Sequence, residues 1–273
     1  MNIKTINKDN PIIAWWSGGI ASAITVWLCI KFFGLENVRI VFIDTKNEDP
    51  DTYRFKYDCE LWYNKEIETI SSNEYENIDE VWDKFLSLNV ATGAICSTEL
   101  KRKVRQDFQN KNSFSYQAFG FDIKEIDRAK NMKKNYPDSR PIFPMVIELM
   151  DKVDALKILK RAFIMPPLPY QLGYLNNNCF RTGCVKGGAG YWQKVEVDTP
   201  TKFDAMAARE HRLTDEKGEP VTICKDQSKG GGLVFLKPHP NYPNVKDLSM
   251  IKGRQPEPLM ECNGFCGPKE TNV

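Results

Sequence analysis

The chain is organised around Pro11 to Ser22, PIIAWWSGGIAS. Five apolar residues, Ile12 to Trp16, read as a buried strand that stops at Ser17-Gly18-Gly19. An apolar helix begins near Ser22 and carries Ile24, Val26, Trp27, Leu28, Ile30 and Phe33 to a stop at Gly34. A second apolar run, Arg39 to Ile43, ends on Asp44. Strand, glycine turn, helix and strand make a βαβ unit, so the expected fold class is α/β with a parallel sheet. Ligands of such sheets sit beyond the carboxyl ends of the strands. The glycine turn and Asp44 both fall at that edge.

The turn has a chemical use. Two glycines let the backbone turn sharply and approach a ligand closely. The helix that follows offers backbone N–H groups and the positive end of its dipole. Ser17 and Ser22 add hydroxyls. Such a turn cradles phosphate or pyrophosphate. Neither the Walker spacing nor G-x-G-x-x-G occurs here, so an ordinary tight turn is the competing interpretation.

SGGIAS resembles the Ser-Gly-Gly-x-x-Ser loop of the PP-loop ATP pyrophosphatases. More narrowly, the chain resembles the phosphoadenosine phosphosulfate (PAPS) reductase-like branch, of bacterial or phage type. The resemblance rests on Asp44-Thr45-Lys46-Asn47-Glu48 with Asp49-Pro50-Asp51-Thr52, on Cys96-Ser97-Thr98-Glu99-Leu100-Lys101, and on Gly120-Phe121 with Glu125 and Arg128. It spans roughly residues 10 to 195, within which Cys184-Val185-Lys186-Gly187-Gly188-Ala189-Gly190-Tyr191-Trp192 is similar to a segment of the same proteins. It implies ATP or an adenylyl nucleotide on Ser17, Gly18, Gly19 and Ser22, with magnesium as a companion ion. Asp44 would lie near the ribose or metal, as a catalytic or binding carboxylate. Lys101, Gly120 and Arg128 would belong to the same nucleotide or substrate site. Many relatives that adenylate a substrate carry Asp where this chain has Ala21.

Composition limits the alternatives. Hydrophobic residues make up 41% of 273, enough for a packed core, and a net charge of +2 gives no overall argument for nucleic acid. No apolar run is long enough to span a bilayer, and the polar first ten residues are unlike a secretory signal. The expected location is cytoplasmic, where the eight cysteines stay reduced and read as core residues, ligands or nucleophiles.

Further along, 51–64 reads as a helix with Tyr53, Tyr57, Leu61 and Trp62 as its core stripe, and 77–88 as one with Ile78, Val81, Trp82 and Phe85 inward. Cys96 is expected just before a helix capped by Ser97 or Thr98. On that helix Lys101 and Arg102 divide between anion binding and a solvated face, and Lys103 and Arg105 read as solvated. A strand over 115–121 ends at Gly120. Glu125 and Arg128, three apart, share a helix face just beyond that strand, where Arg128 suits a phosphate. Helices are expected over 151–164 and 200–213, and a strand over 233–236. The prolines 166, 167 and 169 mark a boundary between a nucleotide-binding domain, 1–165, and a cysteine-bearing extension, 166–273, packed on it.

Cys179 and Cys184 lie in a loop of Asn and Gly, a backbone able to fold around a metal. Cys96, Cys179, Cys184 and one of Cys266 or Cys262 form a candidate four-thiolate set, suited to an iron–sulfur cluster or to zinc. The resemblance ranks a [4Fe-4S] cluster first, zinc second and free thiols third. Cys262 also partly matches the Glu-Cys-Gly end of thioredoxin-dependent PAPS reductases, which makes it a candidate nucleophile. The expected function is nucleotide-dependent sulfur transfer or thiolation, with a nucleic-acid acceptor and a sulfur donor or thioredoxin-like reductant as partners. The alternatives are adenylyl-sulfate reduction and a non-catalytic nucleotide-binding subunit. No motif specifies the oligomeric state.

Overall fold

A computed structural model describes residues 6–88, 93–228, 230–257 and 259. In chain order the first elements are β1 (Ile12–Trp15), α1 (Ile20–Phe33), β2 (Val38–Ile43), α2 (Pro50–Tyr63), β3 (Glu68–Ile70), α3 (Ile78–Phe85), α4 (Ile95–Ser97) and α5 (Lys103–Lys111). Then come β4 (Tyr116–Ala118), α6 (Ile126–Asn135), β5 (Pro141–Ile142), α7 (Pro144–Ile147), α8 (Lys152–Arg161) and α9 (Leu168–Gln171). The last are α10 (Ala189–Asp198), α11 (Pro200–Lys217), β6 (Cys224–Lys225), β7 (Leu233–Phe235) and β8 (Lys246–Asp247). Among the described residues, no helix is long and apolar enough to cross a membrane.

The described residues divide into two compact units. The first draws on Met1–Asp44, Pro50–Ser71 and Lys103–Gln171; the second on Thr45–Asp49, Ser72–Arg102 and Leu172–Val273. The chain therefore crosses from one unit to the other several times.

Unit one holds a five-stranded sheet of order β3-β2-β1-β4-β5 with every pair parallel, the α/β architecture expected from the βαβ pattern. Strands buried on both faces must be apolar throughout, and Ile12, Ile13, Ala14 and Trp15 are all buried. α1 is apolar on nearly every side because sheet and helices enclose it; Ile20 to Val26 are buried without a break. Gly34 ends it, as the sequence implied. Order reverses at β1, which pairs with β2 on one side and β4 on the other. The reversal falls between β1 and β4, and ligands of such sheets bind at the carboxyl ends of the strands beside it.

α2 forms where expected but turns another face inward. Thr52, Phe55, Cys59 and Tyr63 are buried, while Tyr53, Tyr57 and Leu61 of the expected stripe are exposed. Both sets fit helical spacing, and the fit of Phe55 against Trp16, ring centroids 5.8 Å apart, decides between them. Tyr63 adds a hydrogen bond from its hydroxyl to Ala23 O at 2.7 Å.

Unit two has its own core, in which Trp82, Phe180, Trp192, Phe203 and Leu213 gather α3, α10 and α11. On α3, Ile78, Val81 and Trp82 are buried as expected, but Phe85 at the helix end is 39% exposed. Strands β6, β7 and β8 form a small mixed sheet. Glu210 of α11 is buried and accepts N–H bonds from Ile223 and Leu236, both at 2.6 Å, tying two segments of this unit to the helix.

Candidate functional sites

In unit one the site is the loop between β1 and α1. Gly18 takes a left-handed φ of +82°, which an L side chain disfavours. Ser22 closes the loop. Its Oγ accepts the Ser17 N–H at 3.0 Å and donates to Gly19 O at 2.8 Å. The sequence offered Ser22 as a ligand donor; here its hydroxyl shapes the loop. The Ile20 N–H reaches Tyr170 Oη at 3.4 Å. Gly120, two residues past β4, backs onto this loop so closely that a Cβ there would lie 2.6 Å from the Ser22 backbone nitrogen. Ala21 is wholly buried in the core.

Asp44 follows β2 at the same edge of the sheet, and the Tyr53 hydroxyl donates to its carboxylate at 3.0 Å. Tyr53 is thus exposed for a reason, since it serves Asp44 and not the core. Arg128 pairs with Glu125 at 2.6 Å, and its guanidinium lies 4.2 Å from the Phe121 ring centroid. Glu125 is itself fixed by a capping box with Asp122. Arg105, expected on a solvated face, is buried. It joins a polar chain in which Arg105 and Gln117 donate to Gln109 and the Trp15 indole donates to Gln117 at 2.7 Å.

Unit two contains the cysteine site. Cys96, Cys179 and Cys184 all line one small cavity, together with Thr45, Lys101 and Lys186. They are buried, with 7%, 8% and 3% exposure. Cys96 lies inside the short α4, with Ala94 at its N-cap and no side-chain cap, so the expected Ser97 or Thr98 cap is absent. A π-helical turn, Thr98–Arg102, follows. This wider turn puts Lys101 as well as Cys96 at the cavity wall, and it leaves Lys101 and Arg102 buried and not on a solvated face.

The Cys179–Cys184 loop is held from two sides. Cys179 is left-handed at φ +41°. Gly183, at φ +90°, fits against Trp192, where a Cβ would come within 2.6 Å of the indole ring. The Cys184 N–H donates to Tyr191 Oη at 3.1 Å, and burial pushes that phenol well above its ordinary pKa. Thr45–Asp49 braces the loop: Asn47 donates to Thr182 Oγ1 at 2.8 Å, and the Arg181 N–H donates to Asn47 O at 3.3 Å. In the same segment Glu48 accepts from Thr45 Oγ1 at 3.1 Å and stands 3.7 Å from Lys101 Nζ. Lys101, which the family resemblance groups with the nucleotide or substrate site, belongs to unit two and stands beside Glu48.

Three sulfurs on one cavity match the soft donor set of iron–sulfur clusters and zinc. Among the described residues, no group of three or more His, Cys, Asp or Glu is arranged at metal-holding geometry. Cys262 and Cys266 lie outside the described residues. Cys29, Cys59 and Cys224 are buried elsewhere, with pKa values raised by desolvation, that of Cys59 to about 12. Sequence reading gave no role to Glu48, Thr45 or Lys186. The signal available for them was their place within the two motifs that carry the cysteine-site and strand-end resemblances.

A parallel sheet with a glycine loop at its reversal point and a serine-closed helix start defines an α/β class of protein. Residues 11–116 match the phosphoadenosine phosphosulfate reductase domain model. The match takes in the Ser17–Ser22 loop, Asp44, Cys96 and Lys101 and ends before Gly120. No curated protein matches the chain. Among solved structures, U34-tRNA thiolase NcsA from Methanococcus maripaludis with its [4Fe-4S] cluster is similar at 13% identity over 77% of this chain and 74% of that chain, with a TM-score of 0.37. A likeness that loose carries no functional argument.

Proposed function

We propose that the chain is a PP-loop enzyme of sulfur chemistry. An adenine nucleotide binds the Ser17–Ser22 loop of unit one, and a thiolate site in unit two is built from Cys96, Cys179 and Cys184 with Cys266 or Cys262. The observation that carries the reading is the convergence of three cysteines, 83 to 88 positions apart at the longest separations, on one cavity that also has two lysines in its wall. Chance burial of cysteines does not require them to share a cavity with cations.

The loop's part is to hold phosphates. Its backbone is fixed by Ser22, so its N–H groups need little rearrangement to meet an anion. Asp44, steadied by Tyr53, is placed to hold a ribose hydroxyl or the nucleotide's magnesium. Arg128 is placed to take a phosphate or sulfate oxygen. Lys101 and Lys186 favour thiolates and anionic sulfur in the cavity, and Ile78, Leu100 and Val185 keep its wall dry. A cluster held by the cysteines would supply an iron site that binds sulfur and passes single electrons. Zinc is the second choice for the same donors.

In the thiolation version, attack on the nucleotide's α-phosphate activates an acceptor, a nucleic acid being the expected kind, and pyrophosphate leaves. A sulfur donor then delivers sulfur to the activated atom of the acceptor, whose bond to the adenylate oxygen breaks as AMP leaves. Ala21, in place of the Asp of many adenylating relatives, favours nucleotide binding without turnover; adenylyl-sulfate reduction, with Cys262 as nucleophile and a thioredoxin-like reductant, is the other alternative. Purified protein with ATP and pooled RNA or DNA should release pyrophosphate. Sulfite release from an adenylyl sulfate would select reduction instead, and neither product would leave the binding role.

A further inference from the structure

Helices on the outside of an α/β fold normally turn a polar face to water. α8 exposes Lys157, Lys160 and Arg161 in this way, but apolar residues share its exposed surface. Its inward residues Ala155 and Leu159 are fully buried, while Val153 and Leu156, three apart along the flank of that face, are 54% and 38% exposed. The turns at either end add to this surface. α7 closes with Leu149 in the left-handed region at φ +56°, the Met150 N–H returning to Met145 O at 2.8 Å. α8 closes in the same way. Phe163 has φ +58°, its N–H bonds Lys160 O at 3.1 Å, and the Ile164 N–H bonds Leu159 O at 2.9 Å. Such positions ordinarily take glycine or asparagine. Here they hold a leucine that is 73% exposed and a phenylalanine that is 98% exposed. A Cβ is disfavoured in this conformation, and among the described residues neither side chain is buried in return.

The stripe is symmetrical in sequence. Leu149 and Phe163 each lie seven positions from Leu156. Its charges run along the same axis. Glu148, Asp151 and Asp154, with Lys152 among them, mark the N-terminal end; Lys157, Lys160 and Arg161 mark the C-terminal end. Asp151 pairs with Lys124 at 3.0 Å and Asp154 with Lys157 at 2.9 Å. These are surface pairs, which exchange partners at little cost.

We propose that this face docks on the same face of a second copy, the two α8 helices antiparallel about a two-fold axis near Leu156. Leu149 of one copy meets Phe163 of the other, and Leu156 meets its counterpart. The acidic end of each helix lies along the basic end of the other. A two-fold contact requires one self-complementary patch, and this stripe has symmetrical apolar anchors with opposite charge at its ends.

Sedimentation equilibrium of the full chain tests it. The parent should be a dimer. Phe163→Gly should weaken dimerisation by about tenfold or more while leaving the melting temperature unchanged or higher, because glycine suits the left-handed turn. Leu156→Lys should act likewise. Glu148→Lys should weaken the dimer, and Glu148→Lys with Arg161→Glu should restore it. A monomeric parent, or a dimer indifferent to both Phe163→Gly and Leu156→Lys, overturns the proposal.

Discussion

The Cβ that Gly120 lacks would lie 2.6 Å from the backbone nitrogen of Ser22 and 2.7 Å from its Cα. The end of β4 and the start of α1 therefore interlock through backbone atoms alone, at the point where the strand order reverses. Backbone cannot swing aside as a side-chain tip can. Gly120→Ala should displace the nucleotide loop and destabilise the fold by about 1–3 kcal/mol, the usual cost of overpacking. Calorimetric ATP binding and thermal unfolding measure the two effects; a variant with parental melting and affinity would show that the loop yields freely.

Ser22→Ala separates loop shape from packing. It removes the acceptor for Ser17 N–H and the donor to Gly19 O without adding bulk. Nucleotide affinity should fall more than stability does. Calorimetry that finds ATP bound as tightly by the variant would locate the nucleotide elsewhere.

Arg128 is held by Glu125 and by the face of Phe121. If it also grips phosphate or sulfate, Arg128→Gln should weaken binding of the anionic ligand several-fold, with a smaller effect on melting. A partly exposed ion pair contributes only about 0–1 kcal/mol to stability. Loss of stability without loss of affinity would reduce Arg128 to a structural role.

Protein purified without oxygen should be brown, with about four irons per chain and matching sulfide. Serine at Cys179 or Cys184 should bleach it, and serine at Cys29, Cys59 or Cys224 should not, since those thiols are buried apart from the cavity. Colourless protein with one zinc would substitute the second choice. Colourless, metal-free protein, even after anaerobic reconstitution, would end the metal-site reading.

Glu210 makes stability depend on pH. Burial raises its pKa from 4.5 to about 8, and the two backbone N–H bonds hold it from rising further. The folded state thus binds the proton more tightly than the unfolded state. The stabilisation is full below the ordinary carboxylate range and is lost as pH rises through about 8. Glu210→Gln stays neutral at every pH, but its amide nitrogen leaves either Ile223 N–H or Leu236 N–H without an acceptor, at about 1–3 kcal/mol. Denaturant titrations should find the variant weaker at acid pH and the gap narrowing in alkali. A gap constant across that range would mean that Glu210 does not titrate there.

The sequence by itself determined the βαβ unit and the glycine loop at its edge. Each depends on a local property: an unbroken apolar run, a glycine pair, a helical period. The loop that carries Cys179 and Cys184 was legible in the same way, from its Asn and Gly content. Tertiary structure decided what spacing leaves open. On α2, two faces satisfy the helical period, and only packing against Trp16 selected Phe55 over Tyr57. Arg105 read as solvated because a run of cations usually is, yet Gln109 and Gln117 give it a polar place inside. Thr45–Asp49 and Ser72–Arg102 group with the C-terminal residues, although the prolines near 166 suggested a single cut. That grouping puts Cys96 on the same cavity as Cys179 and Cys184. Residues more than 80 positions apart meet only through the burial of Trp82, Phe180 and Trp192 in one core, and no local pattern encodes such a meeting.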